Sequence, residues 1–349
     1  MTVPITSIKT VARPTCPICN RPGVFLYEHL TDTLFNSPGE WSMKRCPNTH
    51  CQTIWLDPTP AEEELGKLYA TYSTHVNPIN PNTKENYQPR KLIDFVRTAV
   101  RFKKLGYANT LSVFANNFLY GLSHLHPAWQ DTQSIILFYL PAKQAGKLLD
   151  IGCGNGSSML VMRNQGWDVS GIDFDKQAIA QAQTHNLNAT VVASLDTLDY
   201  QDNSFDAIML NHVIEHVPQP IKLVQECFRV LKPSGTLVAL TPNATSLGHQ
   251  KFKSNWRGLE TPRHLQVFTR DSLALLAKNA AFGKIDSFTS TQGILQIYDE
   301  SAYYQKNHTS SLMVSSRSKL AFHLRWLLAG WRHRLFPTLS EVVVLRCFK

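Results

Sequence analysis

Between residues 146 and 295 the chain alternates short apolar runs with helical stretches, and that alternation restricts the fold more tightly than any other feature. The strand-like runs are Lys147-Leu-Leu-Asp-Ile151, Trp167-Asp-Val-Ser-Gly-Ile172, Ala189-Thr-Val-Val-Ala193, Phe205-Asp-Ala-Ile-Met-Leu210 and Thr236-Leu-Val-Ala-Leu240. Helical periodicity falls between them at 157–165, 175–186 and 219–231. A strand followed by a helix and another strand closes only as a parallel pair with a right-handed crossover, so the pattern predicts a doubly wound α/β sheet. A last strand is expected at Val342–Phe348, after an amphipathic helix near 318–335.

The first run ends in Asp150-Ile-Gly-Cys-Gly-Asn-Gly156 and leads into a helix. Gly152, Gly154 and Gly156 let the backbone turn sharply and approach a ligand. Their G-x-G-x-G spacing differs from the dinucleotide fingerprint, G-x-G-x-x-G, which presents a helix N-terminus to a pyrophosphate. Asp150 would repel a pyrophosphate and suits a ligand carrying an ammonium and a sulfonium centre. At the end of the second run Asp173, in Gly-Ile-Asp173 with Phe174 beside it, can accept hydrogen bonds from both hydroxyls of a ribose.

These segments resemble the class I S-adenosylmethionine-dependent methyltransferases. Leu148-Leu-Asp-Ile-Gly-Cys-Gly-Asn-Gly156 is similar to the first motif of that family and Gly-Ile-Asp173 to its second. Ser204–His216 resembles its fourth strand, and Arg229-Val-Leu-Lys-Pro-Ser-Gly-Thr-Leu237 the turn into its fifth. The resemblance covers residues 146–290 and implies a seven-stranded, mostly parallel, Rossmann-like sheet whose antiparallel strand is Val342–Phe348. It implies S-adenosylmethionine as cofactor, held by Asp150, Gly152, Cys153, Gly154, Gly156, Asp173, Phe174 and Asn211. The family usually has an acid after its third strand, near the adenine. Here that stretch reads Ala193-Ser-Leu195, which passes the contact to Ser194, Leu195 or the main chain.

Residues 1–75 form a separate zone. Cys16-Pro-Ile-Cys19 and Cys46-Pro-Asn-Thr-His-Cys51 are two cysteine knuckles, and two thiolate pairs on two turns can close a tetrahedral structural zinc site. Cys16, Cys19, Cys46 and Cys51 are the expected ligands, with His50 as a substitute for Cys51. Ile54-Trp-Leu-Asp-Pro58 followed by Glu62 to Tyr69 resembles the zinc-ribbon-like leader of many bacterial small-molecule and sugar-pathway methyltransferases. Cys227 and Cys347 sit in apolar runs and read as core. Residues 76–145 read as a linker followed by helices, and 146–349 as the methyltransferase domain with a helical insertion at about 298–338.

Ligands of a doubly wound sheet bind beyond the carboxyl ends of its strands. The fourth run ends in Asn211-His-Val-Ile-Glu-His216, and the fifth opens a loop containing Pro262-Arg-His264. Adjacent strand ends can bring His264 to His212, Glu215 and His216. A hydroxyl acceptor must lose a proton, and histidine suits that near neutral pH. His216 is the first candidate base and His264 the second. The Glu-His pair resembles ubiquinone-biosynthesis O-methyltransferases, implying a small-molecule acceptor (sugar, polyketide-like or quinone-like, possibly lipid-linked). The competing reading is an RNA 2′-O-methyltransferase, since small-RNA enzymes bear a similar Glu-x-x-Glu-His that holds a divalent metal. Here His212 replaces the first glutamate, which leans such a site towards a transition metal.

A charged fraction of 17% and a hydrophobic fraction of 43% are those of a globular protein. No long apolar run suggests a membrane span, and the polar N-terminus does not read as a signal peptide, so a cytoplasmic location with reduced thiols is expected. The net charge of +9 concentrates at 84–104 and 306–334. The segments that hold these charges, residues 84–122 and 306–336, are expected to cover the acceptor pocket and to touch an anionic membrane surface. They lack the interleaved aromatics of a nucleic-acid groove, which weighs against RNA as partner.

Overall fold

The computed structural model describes residues 7–69, 92–307 and 319–349. The expected basic cover falls partly outside them, at 84–91 and 308–318.

The N-terminal zone is built on β1 (Thr10–Val11), β2 (Val24–Leu30), β3 (Trp41–Arg45), β4 (Ile54–Leu56) and β5 (Thr59–Pro60). β1 and β5 form a ribbon, while β2, β3 and β4 form an antiparallel meander. This meander gains a fourth strand from far along the chain: β11 (Gln266–Val267) pairs with β4. The sheet therefore crosses the division at residue 75. Trp41, Met43, Ile54 and Leu56 pack there against Phe252, Trp256, Leu259 and Leu265.

Three helices follow, α1 (Leu92–Leu105), α2 (Val113–Ser123) and α3 (Pro127–Ile135). The main sheet then contains β6 (Lys147–Ile151), β7 (Asp168–Asp173), β8 (Asn188–Val191), β9 (Phe205–Asn211), β10 (Leu231–Pro242), β12 (Lys284–Ser290) and β13 (Val342–Phe348). Its order is β12-β13-β10-β9-β6-β7-β8, with β13 antiparallel to both neighbours. The chain reverses direction across the sheet between β6 and β9, and the crevice at their carboxyl ends is the expected ligand site.

Two-residue periodicity in β6 sends Leu148 to one face and Leu149 to the other, each into its own core cluster. On one face lie α6 (Pro220–Val230) and α8 (Arg270–Asn279); on the other lie α4 (Ser157–Arg163) and α5 (Lys176–Thr184). Cover on both faces explains why the strands read as continuous apolar runs. Each fully buried Leu or Ile contributes roughly 1.5–3 kcal/mol. Between β10 and β11 lies α7 (Leu247–Phe252), and between β12 and β13 lie α9 (Ile294–Asn307) and α10 (Lys319–Leu335). The insertion thus begins at Ile294, with α10 packed on α3 and α9 and Gly330 lying against Ala128. No described helix is long and apolar enough to cross a membrane.

Candidate functional site

The loop after β6 has the geometry of a ligand cradle. Gly152, Gly154 and Gly156 all have positive φ, at 71°, 52° and 83°. A Cβ on Gly152 would stand 2.4 Å from Val213, and one on Gly156 2.4 Å from Leu187, so the tight turn excludes side chains. Asp150 lies beneath this turn, and neither of its carboxylate oxygens has a hydrogen-bond partner. Burial, and secondarily the charge of Asp173, pushes its carboxyl well above the usual range. A buried carboxylate without partners marks a place for a cationic or donor-rich ligand. Asn211 Oδ1, at the end of β9, is likewise buried without a partner.

Asp173 ends β7 and accepts main-chain N–H bonds from Gly154 (2.8 Å) and Asp175 (2.9 Å), which tie it to the glycine turn and leave lone pairs for a diol. Phe174 is half exposed, and its ring meets Tyr69 edge-on at 5.3 Å. Cys153 is buried and its thiol is pushed up, chiefly by burial. After β8, the Ser194 hydroxyl donates to Asp196 at 2.6 Å, and Leu195 is buried. The acid that the sequence lacks at 193–195 is therefore present one residue further on. These residues fit a nucleoside with a charged amino-acid tail.

At the end of β9 the chain turns at His212, whose φ of 56° is unusual for a residue with a Cβ. His212 Nδ1 lies 3.1 Å from Glu215 Oε1. Burial opposes the charged imidazole, but the hydrogen bond and charge of Glu215 outweigh it, so the His212 pKa is raised. Glu215 is fully buried; burial alone would raise its pKa, yet His212 and the neighbouring imidazoles hold it down at about 2. Its second oxygen, Oε2, has no partner.

His216 Nδ1 lies 3.0 Å from both the Arg263 carbonyl and the Tyr69 hydroxyl. His264 Nδ1 lies 2.8 Å from the Gly258 carbonyl, and burial pushes this imidazole down to about 4, so it is neutral at pH 7. The His216 and His264 rings are 4.7 Å apart. His212, Glu215, His216 and His264, which the sequence scatters over two loops, are thus brought to one place.

Their framework was not legible in the sequence. Gln266 Nε2 donates to the carbonyls of Ile214 (3.0 Å) and Val217 (2.8 Å), fixing the turn that carries Glu215 and His216. Glu260, in the left-handed region at φ 35°, is ion-paired with Arg257 and Arg263 and stands 3.7 Å from His264 Nε2. An acid in Gly258–His264 was the available signal. Beside it a cavity of about 430 Å³ opens between β2, residues 254–261 and α9. Tyr27, Asp32, Arg257, Glu260, Glu300 and Tyr304 line it.

The four N-terminal cysteines form a second cluster. Their sulfurs all lie within 4.8 Å, with Cys19 and Cys46 3.3 Å apart and Cys16 and Cys51 3.6 Å apart. Zinc–thiolate bonds of about 2.3 Å put tetrahedral sulfurs about 3.8 Å apart. The Cys16 thiol holds Cys51 down at about 5 against burial, while the same contact and burial push Cys16 up. The residue after each knuckle, Asn20 or Gln52, has positive φ, so the two turns are alike. His50 is exposed on the surface and Cys51 completes the set. The Thr269 hydroxyl caps α8 and also donates to the Cys51 carbonyl at 2.8 Å, docking the cluster on the main domain.

Strand order, glycine cradle and the paired acids at the ends of β6 and β7 define the class I methyltransferase fold. Residues 123–286 match the family model described as a methyltransferase domain, and it is this segment that carries the glycine cradle and both acids. A ubiquinone biosynthesis O-methyltransferase of Xanthomonas campestris pv. campestris is 36% identical over 118 residues, 31% of this chain and 49% of that protein. Its namesake in Pseudomonas fluorescens is 33% identical over 103 residues, 28% of this chain and 44% of that one. The chain spans about half the length of the curated relatives it matches. A solved SAM-dependent methyltransferase from Archaeoglobus fulgidus superposes with a TM-score of 0.42 at 20% identity over 60% of this chain and 88% of its own, a likeness too distant to add to the fold assignment.

Proposed function

We propose that this protein transfers a methyl group from S-adenosylmethionine to a hydroxyl of a small molecule. The observation that carries the reading is the buried, unpartnered Asp150 under the glycine turn, with the His212–Glu215 pair standing one strand away. When bound, S-adenosylmethionine supplies a methyl group already activated by its sulfonium. Asp150 and Asn211 would meet its polar tail, Asp173 its ribose, and Phe174 with the Ser194–Asp196 stretch its base.

His212 is the better base on geometry, although the sequence ranks His216 first. Glu215 holds His212 Nδ1–H, which leaves Nε2 to take the proton of an acceptor hydroxyl. His216 and His264 are instead turned by carbonyl groups at Nδ1. The polar, charged walls of the 430 Å³ cavity favour a polyhydroxylated acceptor, sugar-like in chemistry, over a quinone.

Calorimetry with S-adenosylmethionine and its demethylated product tests the donor half. Asp173→Ala should weaken binding more than tenfold, as losing charged hydrogen bonds of about 1.5–3 kcal/mol implies. Unchanged affinity in that variant would overturn the assignment. Methylation of RNA by the wild type, with binding that falls steeply as salt rises, would instead favour the nucleic-acid reading.

We further propose that the four-cysteine cluster holds a structural zinc, since its sulfurs, all within 4.8 Å of one another, are close enough to be gathered on one tetrahedral ion. Metal analysis of protein purified without chelator should find zinc, and Cys16→Ser should lower the content by one equivalent while cofactor binding survives. A zinc content unchanged by Cys16→Ser, or none at all, contradicts this.

A further inference from the structure

We infer that the cleft between the N-terminal sheet and segment 244–253 is an anion site that takes a phosphoryl group on Arg45 and Lys253. A cavity of about 440 Å³ opens there, and none of the described residues lining it is acidic. Arg45 comes two positions after Met43, so it shares the face of β3 that packs against Phe252 and Trp256. Lys253 stands at the left-handed turn that ends α7, with a φ of 51°. The cavity thus receives one cation from each of its two walls.

The neutral polar groups of the lining are already engaged. The Thr245 hydroxyl donates to Asn243 Oδ1 at 2.8 Å, the Gln250 amide to the Thr245 carbonyl at 3.0 Å, and the Gln52 amide to the Thr49 carbonyl at 3.1 Å. His249 Nδ1 lies 2.6 Å from the Ala244 carbonyl and so carries the ring proton. Its Nε2 therefore accepts from the Tyr27 hydroxyl at 2.9 Å. By contrast, neither the half-buried Arg45 guanidinium nor the Lys253 ammonium has a hydrogen bond or ion pair with a described residue. The next residue to Arg45 shows the difference, since Lys44 is paired with Asp57.

Two positive charges with unused N–H donors, on one cavity without an acid, attract an anion. Two charges match a phosphate dianion better than a lone carboxylate. Arginine offers the planar fork that phosphate oxygens fit, and lysine a point charge beside it. Arg45 and Gln52 directly flank Cys46 and Cys51, so the thiolate cluster fixes that wall. Leu26 and Tyr27 line both this cavity and the one beside Arg257 and Glu260. An acceptor with its hydroxyls in the latter can therefore keep a phosphoryl group in the former. That role rests on the methyl-transfer reading; the binding of the anion does not.

Calorimetry of the full-length protein with pyrophosphate, and with inorganic phosphate, reads the site directly. The wild type should take up one pyrophosphate per chain, more weakly as sodium chloride rises. Arg45→Gln and Lys253→Gln should each lower the affinity by about tenfold or more, the loss expected for a charge-assisted contact. Both should unfold at the wild-type midpoint, because neither side chain holds a partner in the fold. Lys251→Gln is the control: its ammonium lies on Tyr298, outside the cleft, and its loss should change nothing. Absence of pyrophosphate binding, or an equal loss in Lys251→Gln, would reduce the cleft to ordinary surface charge and overturn the site. Calorimetry with S-adenosylmethionine in the same samples keeps the readings apart. Cofactor binding without pyrophosphate binding sinks only the cleft, and the converse only the donor assignment. With a phosphorylated acceptor, Arg45→Gln should raise KM and leave kcat, and a lower kcat at unchanged KM would exclude the anchoring role.

Discussion

His212→Gln is expected to slow methyl transfer by roughly 10²–10⁴-fold, the usual contribution of a positioned general base, while S-adenosylmethionine affinity changes little. The residue sits at the sharp left-handed turn that ends β9, where a ligand in the crevice would meet it. Its Nδ1 is held by a carboxylate with no solvent exposure, so the imidazole has one orientation and one free nitrogen. The rate can be read with labelled methyl donor and a hydroxylated acceptor found by screening.

The pH dependence carries a sign. Burial lowers the His212 pKa, but Glu215 raises it by more, so the net shift is upward from the ordinary histidine value. A base works only when deprotonated. The rate should therefore climb with pH through an apparent pKa above about 6.5, then level off. Glu215→Gln should move that limb to lower pH, because the raising charge is gone. A rate within threefold of wild type in His212→Gln would remove this residue from the mechanism and return His216 to first place.

How much of this was readable beforehand depended on range. The runs at 147–151 and 205–210 became β6 and β9 because both faces of a parallel strand are buried, so sequence and burial carry one signal. The cysteine pairs were legible for a similar reason: two short turns with thiols have few other uses. By contrast, nothing local marks Gln266 as the clamp on 214–217, since its partners are some fifty positions earlier. Nor does the run 54–56 announce that its edge will be taken by Gln266–Val267. A two-residue strand has no periodicity to read. The order of the histidines is not a local property either, because which Nδ1 faces a carboxylate and which a carbonyl is decided by loop packing.

Arg263→Met should destabilise the protein by about 3–5 kcal/mol, the range for removing one member of a buried ion pair. Arg263 has no exposure, and its guanidinium makes bonds to Asp32 of 2.7 and 3.0 Å from two different nitrogens. It also reaches Glu260 at 3.2 Å and lies 4.2 Å over the Phe35 ring. Asp32 in turn accepts N–H bonds from Leu34, Phe35 and Ser37, so its carboxylate is fixed where the guanidinium must meet it. Removing the arginine leaves that carboxylate buried without its counter-charge, whereas Glu260 keeps Arg257. Arg263→Lys should rescue little, because a point charge cannot reproduce a bidentate fork. Asp32→Asn combined with Arg263→Met should be less damaging than the sum of the two single changes, since the second removes the charge that the first strands. Denaturant unfolding gives the stability directly from the shift in midpoint at constant slope. A loss under 1 kcal/mol would mean that the pair between the N-terminal sheet and the loop of His264 merely accompanies their packing.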